Sequence, residues 1–135
     1  MDKKEVTIIF NSKMYDTDEK FDISAKGMHY IKDGKHYVTY SEVTQDGRNV
    51  RNILKFDSEA LHVSKIGITR TNMYYKKGHI YEDVYGTSFG VYDMCIRTTE
   101  YILSETKDTC KIMTEYNLEL GGQHVSKCRV EITIR

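Results

Sequence analysis

Apolar and polar residues alternate along most of the chain. Near its end Cys128, Val130, Ile132 and Ile134 are apolar while Lys127, Arg129, Glu131 and Thr133 are polar, the period of two expected of a strand with one buried face. Turn signals at Asp33-Gly34, Asp46-Gly47, Asp57-Ser58, Lys77-Gly78, Lys107-Asp108 and Gly121-Gly122 divide the chain into short runs. The pattern predicts about ten strands, near 6–11, 20–31, 36–43, 48–56, 60–66, 69–76, 79–85, 91–103, 109–120 and 124–134. No stretch keeps helical spacing for three turns, and only 13–20 has room for a short helical turn. Strands joined by tight turns predict an all-β antiparallel meander, closed as a sandwich or an up-and-down barrel.

Parity sharpens the expectation in the last third. Ile112, Tyr116, Leu118 and Leu120 share a face with Thr114, so two consecutive strands carry their core faces on even numbers. Residues opposite each other in a hairpin point to the same side, and the connecting loop must then hold an odd number of residues. The prediction is a Gly121-Gly122-Gln123 loop closed by a glycine bulge, pairing Leu120 with His124, Leu118 with Ser126, Tyr116 with Cys128 and Thr114 with Val130. One strand earlier, Tyr92, Met94, Ile96, Thr98 and Ile102 form the apolar face. A turn centred on Lys107 sets Thr98 beside Tyr116. This small or hydroxylated layer suits a hollow interior, and equally a core whose hydroxyls find backbone partners. On the outward parity, Val91, Cys95, Tyr101 and Leu103 are more apolar than a solvated face requires.

A length of 135 residues fits a single domain over 1–135. With 20 basic and 20 acidic residues the chain has no surplus charge to neutralise phosphates, which excludes nucleic acid and anionic membranes as electrostatic partners. The tyrosines and lysines at 74–77 and the basic strand at 48–55 are better read as solvated faces. No apolar run reaches the ~20 residues of a membrane span, and no signal-peptide segment follows Met1-Asp2-Lys3-Lys4-Glu5. Cys95, Cys110 and Cys128 are odd in number and scattered. The expectation is a reduced, cytoplasmic protein.

Chemistry-bearing patterns are sparse. The histidines at 29, 36, 62, 79 and 124 stand alone, without a His-x-His, His-Glu-x-x-His or Cys-x-x-Cys pair, so neither a metal nor a cofactor is expected. No Gly-x-Ser-x-Gly elbow is present. The segment 85–90 lacks the Gly-Lys-Ser/Thr ending of a phosphate loop. Tyr40 and Glu42 share a face with Val38, and a carboxylate turned inward must be paired or sit in a polar cavity. His124 and Ser126 continue the inner face of the last strand toward a barrel mouth. The candidate ligand-binding residues are therefore Tyr40, Glu42, Tyr85, Thr98, Tyr116 and His124, with no catalytic residue and no metal ligand assigned.

The stretch Tyr85-Gly86-Thr87-Ser88-Phe89-Gly90-Val91-Tyr92-Asp93-Met94-Cys95-Ile96-Arg97-Thr98 resembles the central motif of the DUF1934 family, the YwiB-like bacterial proteins. Tyr116-Asn117-Leu118-Glu119-Leu120, Gly122-Gln123-His124-Val125-Ser126 and Ile132-Thr133-Ile134 are similar to the family's closing hairpin, and Tyr40-Ser41-Glu42 to its Tyr-x-Glu strand. The family's Arg-x-Gly is here Lys65-Ile66-Gly67, a point charge in place of a guanidinium fork. The resemblance implies a calycin-like, lipocalin-like β-barrel and brings no established activity. Three readings follow. The first is a non-catalytic barrel that binds a small, partly apolar molecule in its interior. The second is a filled barrel serving as a protein–protein module, such as a homodimer. The third is an enzyme using Glu42 and His124 as an acid–base pair.

Overall fold

The computed structural model describes residues 2–87 and 89–135. Ser88, within the segment weighed as a phosphate loop, and Met1 lie outside the described residues. Among these, ten strands follow one another: β1 (Lys4–Met14), β2 (Glu19–Lys32), β3 (Lys35–Val43), β4 (Asn49–Phe56), β5 (Ala60–Ile66), β6 (Arg70–Lys76), β7 (Ile80–Thr87), β8 (Gly90–Glu105), β9 (Cys110–Leu120) and β10 (Gln123–Ile134). Each predicted strand is present. The segment 13–20 is not a helical turn; it is the β1–β2 hairpin, with Lys13 opposite Lys20 and Asp18 in the left-handed region at φ 54°.

All neighbours pair antiparallel, in the order β6-β5-β4-β3-β2-β1-β10-β9-β8-β7. The two edge strands, β6 and β7, are joined by the tight turn at Gly78 (φ 77°), so the sheet curls into a nearly closed barrel. Side chains bridge the seam. The Tyr75 ring meets Tyr116 edge-on at 4.8 Å between centroids, and the Tyr101 hydroxyl lies 2.9 Å from the Asp57 carbonyl and 3.1 Å from that of Ala60.

The interior is filled. Ile8, Val38, Leu54, Phe56, Leu61, Ile96, Ile112, Ile132 and Ile134 are all essentially inaccessible, and they come from strands around the whole circumference. Along β3 and β4 the inward pairs run His36/Phe56, Val38/Leu54, Tyr40/Asn52 and Glu42/Val50, so on these strands an aliphatic pair stands between the polar residues of the two ends.

Two β-bulges set which residues enter that interior. The β9–β10 turn holds only Gly121 and Gly122, both at positive φ (61° and 78°), with Gln123 opposite Leu120. The extra residue required by parity sits inside β10, between His124 and Ser126. The expected pairs Leu118–Ser126, Tyr116–Cys128 and Thr114–Val130 hold, while Leu120–His124 does not: His124 faces Glu119 on the outer side. A second bulge falls between Thr98 and Glu100 on β8. Before it Met94, Ile96 and Thr98 point inward, as expected; after it the parity flips. Tyr101 is buried and Leu103 packs on the core, whereas Ile102 is exposed. The expected outer contact face therefore loses Tyr101 and Leu103 and keeps Val91 and Cys95.

Candidate functional site

The β2–β3 hairpin turns on Asp33 and Gly34, both at positive φ, which places Ile31 opposite His36 and His29 opposite Val38. Both histidines thus follow Val38 to the inner face. The β8 bulge brings Glu105 to that same face, opposite Cys110 at the start of β9. Four polar side chains from four strands meet at this end of the barrel.

His29 Nε2 and His36 Nδ1 are 2.8 Å apart, with the two ring planes nearly parallel at 16°. On its other nitrogen, His36 Nε2 lies 2.5 Å from Glu105 Oε1. Cys110 Sγ is 3.9 Å from the same carboxylate oxygen. The His36 ring lies flat on Phe56 (4.7 Å, 2°) and is buried, whereas the Glu105 side chain is half exposed. Burial, followed by the charges of His36 and Lys4, pushes the His29 pKa below its usual value. Burial and the Glu105 carboxylate push the Cys110 thiol up.

These groups lie along a half-open cleft of about 530 Å³. Ile31 gives it exposed apolar surface, and Lys4, Lys107 and Arg135 give it cationic groups. The arrangement can relay a proton along Glu105, His36 and His29, or present nitrogen, oxygen and sulfur donors to a ligand.

The residues singled out from the sequence sit elsewhere. Glu42 accepts hydrogen bonds from Asn52 Nδ2 (3.0 Å) and Lys65 Nζ (3.3 Å) at the opposite end of the barrel. Tyr40 shares its face and packs on Phe10, with ring centroids 5.5 Å apart; burial and then the Glu42 charge hold its hydroxyl proton well above the usual range. Thr98 and Tyr116 are neighbours, as expected, and burial raises the Tyr116 pKa further. His124 binds Asp16 at 2.7 Å on the surface, and Tyr85 is exposed opposite Tyr92. Tyr40 and Glu42 come together, as do Thr98 and Tyr116; Glu42 and His124 each have a different partner. Sequence reasoning missed His29, His36, Glu105 and Cys110. A signal existed for His36, which shares the even parity of Val38, Tyr40 and Glu42. For Glu105 the bulge concealed it.

A family model described as "Domain of unknown function (DUF1934)" matches residues 6–132. The crystal structure of ywiB protein from Bacillus subtilis superposes with a TM-score of 0.85 at 22% identity, over 98% of this chain and 92% of that one. At that identity the likeness concerns the fold. The curated proteins contain no match.

Proposed function

Because the chain belongs to the DUF1934 family, whose description assigns no activity, we propose a function from the cleft itself: a non-catalytic barrel that binds one small, partly apolar molecule at its histidine end. The observation that carries this reading is the hydrogen-bonded His29–His36–Glu105 series along a cleft of about 530 Å³, at one end of a barrel with a packed interior. That volume falls in the usual range for small-molecule sites, roughly 300–1,000 Å³. Ile31 suits the apolar part of such a ligand, and the imidazoles, Lys4 and Arg135 suit a polar or anionic head. With the interior filled, the ligand occupies the end cleft and not the barrel axis. Three free thiols favour a reduced, cytoplasmic setting.

Native mass spectrometry of freshly purified protein, set against the denatured mass of the same sample, tests the proposal. The expected result is a single small-molecule adduct, lost on denaturation and absent from His29→Ala. A clean apo monomer would overturn it. A clean apo dimer would favour the interaction module, with a second copy covering the exposed Val84, Val91 and Tyr92 of the β7–β8 hairpin.

A further inference from the structure

We infer that His36, Glu105 and Cys110 form a binding site for one divalent, borderline-soft transition-metal ion, zinc first, with a fourth position open to the cleft and His29 as the residue that positions His36. The inference rests on the cleft being the working site, but it does not need an organic ligand.

The donor atoms are in place. His36 Nε2, Glu105 Oε1 and Cys110 Sγ all lie within 4.8 Å of one another. An imidazole, a carboxylate and a thiol are the three ligand types that zinc takes, and three protein ligands with one position left over is the usual form of a reactive rather than a structural site. Around a tetrahedral zinc, bond lengths of roughly 2.0 Å to nitrogen and oxygen and 2.3 Å to sulfur put the donors about 3.3–3.6 Å apart. The oxygen–sulfur separation of 3.9 Å is already near that value. The nitrogen–oxygen separation of 2.5 Å is too short by about 0.8 Å. Glu105 supplies the adjustment, because its side chain is half exposed at the end of β8, whereas His36 and Cys110 are buried.

The lone pairs point the same way. An imidazole nitrogen and a carboxylate oxygen facing each other at 2.5 Å need a proton or a metal ion between them. A proton does this for a simple ion pair, and a metal ion does it equally. A simple ion pair needs neither a thiol beside the same oxygen nor a second imidazole behind the first. His29 fits the metal reading: when His36 donates its Nδ1–H to His29 Nε2, the His36 Nε2 lone pair is fixed toward Glu105 and Cys110. Stacking on Phe56 holds the ring in that orientation. The metal displaces the thiol proton of Cys110, and a second proton leaves only where the His36–Glu105 pair starts as imidazolium and carboxylate, so about one to two protons leave for each ion bound. The open position then takes a water, or a carboxylate or carbonyl oxygen of a molecule in the cleft.

The test is titration of chelator-stripped full-length protein with cobalt(II), followed by zinc. One equivalent of cobalt is expected, with tetrahedral visible bands and a thiolate-to-cobalt charge-transfer absorption in the near ultraviolet, all displaced by zinc. Cys110→Ser should abolish the charge-transfer band and Cys95→Ser should leave it. Glu105→Gln, at a half-exposed strand end, should weaken binding by about ten-fold or more. His29→Phe should weaken it by about ten-fold with the charge-transfer band retained, and His29→Gln should restore part of the loss. Absence of stoichiometric cobalt uptake by the stripped protein overturns the proposal, as does a charge-transfer band that survives Cys110→Ser. An organic adduct in the native spectrum without cobalt uptake would sink the metal site and leave the cleft reading standing; cobalt uptake without an adduct would do the reverse.

Discussion

Two threonines on adjacent strands allow a test in which the same substitution should act with opposite signs. Thr98 on β8 and Thr114 on β9 both face the interior, at 3% and 1% exposure. Thr114 Oγ1 donates to the Glu100 carbonyl at 3.0 Å, where the β8 bulge interrupts the ladder. Thr98 Oγ1 has no hydrogen-bond partner among the described residues. A buried hydroxyl left unpaired costs about 1–3 kcal/mol, and a methyl in its place gains up to about 0.8 kcal/mol of apolar burial. Thr98→Val should therefore stabilise the protein by about 1–2 kcal/mol. Thr114→Val removes a hydrogen bond worth about 1 kcal/mol and strands a carbonyl at the bulge, so it should destabilise by about 1–2 kcal/mol. For a chain of this length that is a shift of roughly 3–5 °C in Tm per kcal/mol, upward for one variant and downward for the other. Urea unfolding followed by circular dichroism measures both, at unchanged m. Equal destabilisation by the two variants would refute the reasoning. It would mean that the Thr98 hydroxyl has a polar partner inside the barrel, as its assignment to a ligand-lining layer requires.

Two further expectations follow from close approach and from charge. A methyl group at Gly27 would press on the Thr39 carbonyl oxygen and lie 2.9 Å from Ile8 Cδ1, so Gly27→Ala should cost about 3 kcal/mol; a change in urea midpoint worth less than about 0.5 kcal/mol would contradict this. Burial alone would raise the Glu42 pKa, but the Asn52 amide and the Lys65 ammonium outweigh it and hold the carboxyl below its ordinary 4.5. A carboxylate with a depressed folded pKa lends stability that is present above 4.5 and lost as pH falls through the lower folded value. Glu42→Gln should accordingly be less stable than the parent at neutral pH and converge with it in acid. The gap should be small because the pair is partly solvated. Parallel acid limbs in the two unfolding profiles would argue against the pairing.

Alternation made the strands legible because each strand has one face on a common core, and the turn residues made the hairpins legible because positive φ favours Gly, Asn and Asp. The same parity rule demanded an extra residue between β9 and β10, but it could not say where. Gly121 and Gly122 form a two-residue turn by themselves, so the insertion moved to Val125 and turned His124 outward onto Asp16. On β8 nothing in the run Arg97-Thr98-Thr99-Glu100-Tyr101 marks a bulge. Either parity offers apolar residues, and the choice is made by what β9 and the Asp57–Ala60 turn present to Tyr101. The candidate site failed to show in the sequence for the same reason. Its members come from residues 29, 36, 105 and 110, and they converge only if the chain after Thr99 has flipped. Motif spacing detects ligands on one hairpin or one helix and is blind to a set assembled across a barrel end.

The filled interior has a consequence for how the two ends should respond to change. Along β3 and β4 the Val38/Leu54 pair stands between His36/Phe56 at one end and Tyr40/Asn52 at the other, all closely buried except the Tyr40 rim. At the far end Asn52 Nδ2 and Lys65 Nζ both donate to Glu42, while Asn52 Oδ1 is buried without a hydrogen-bond partner among the described residues. At the near end Glu105 is half exposed, and His29 and His36 line the cleft. Side chains enclosed in the packed interior or held in an ion pair contribute to stability and are closed to a ligand, whereas donors that line a cleft open to solvent are the ones that can bind. Changes at Glu42, Thr98 and Tyr116 should therefore register as shifts in unfolding, and changes at His29, Glu105 and Cys110 as shifts in binding. Only a barrel open along its axis would mix the two, and the buried Val38, Leu54, Ile96, Ile112 and Ile132 stand in the way of that.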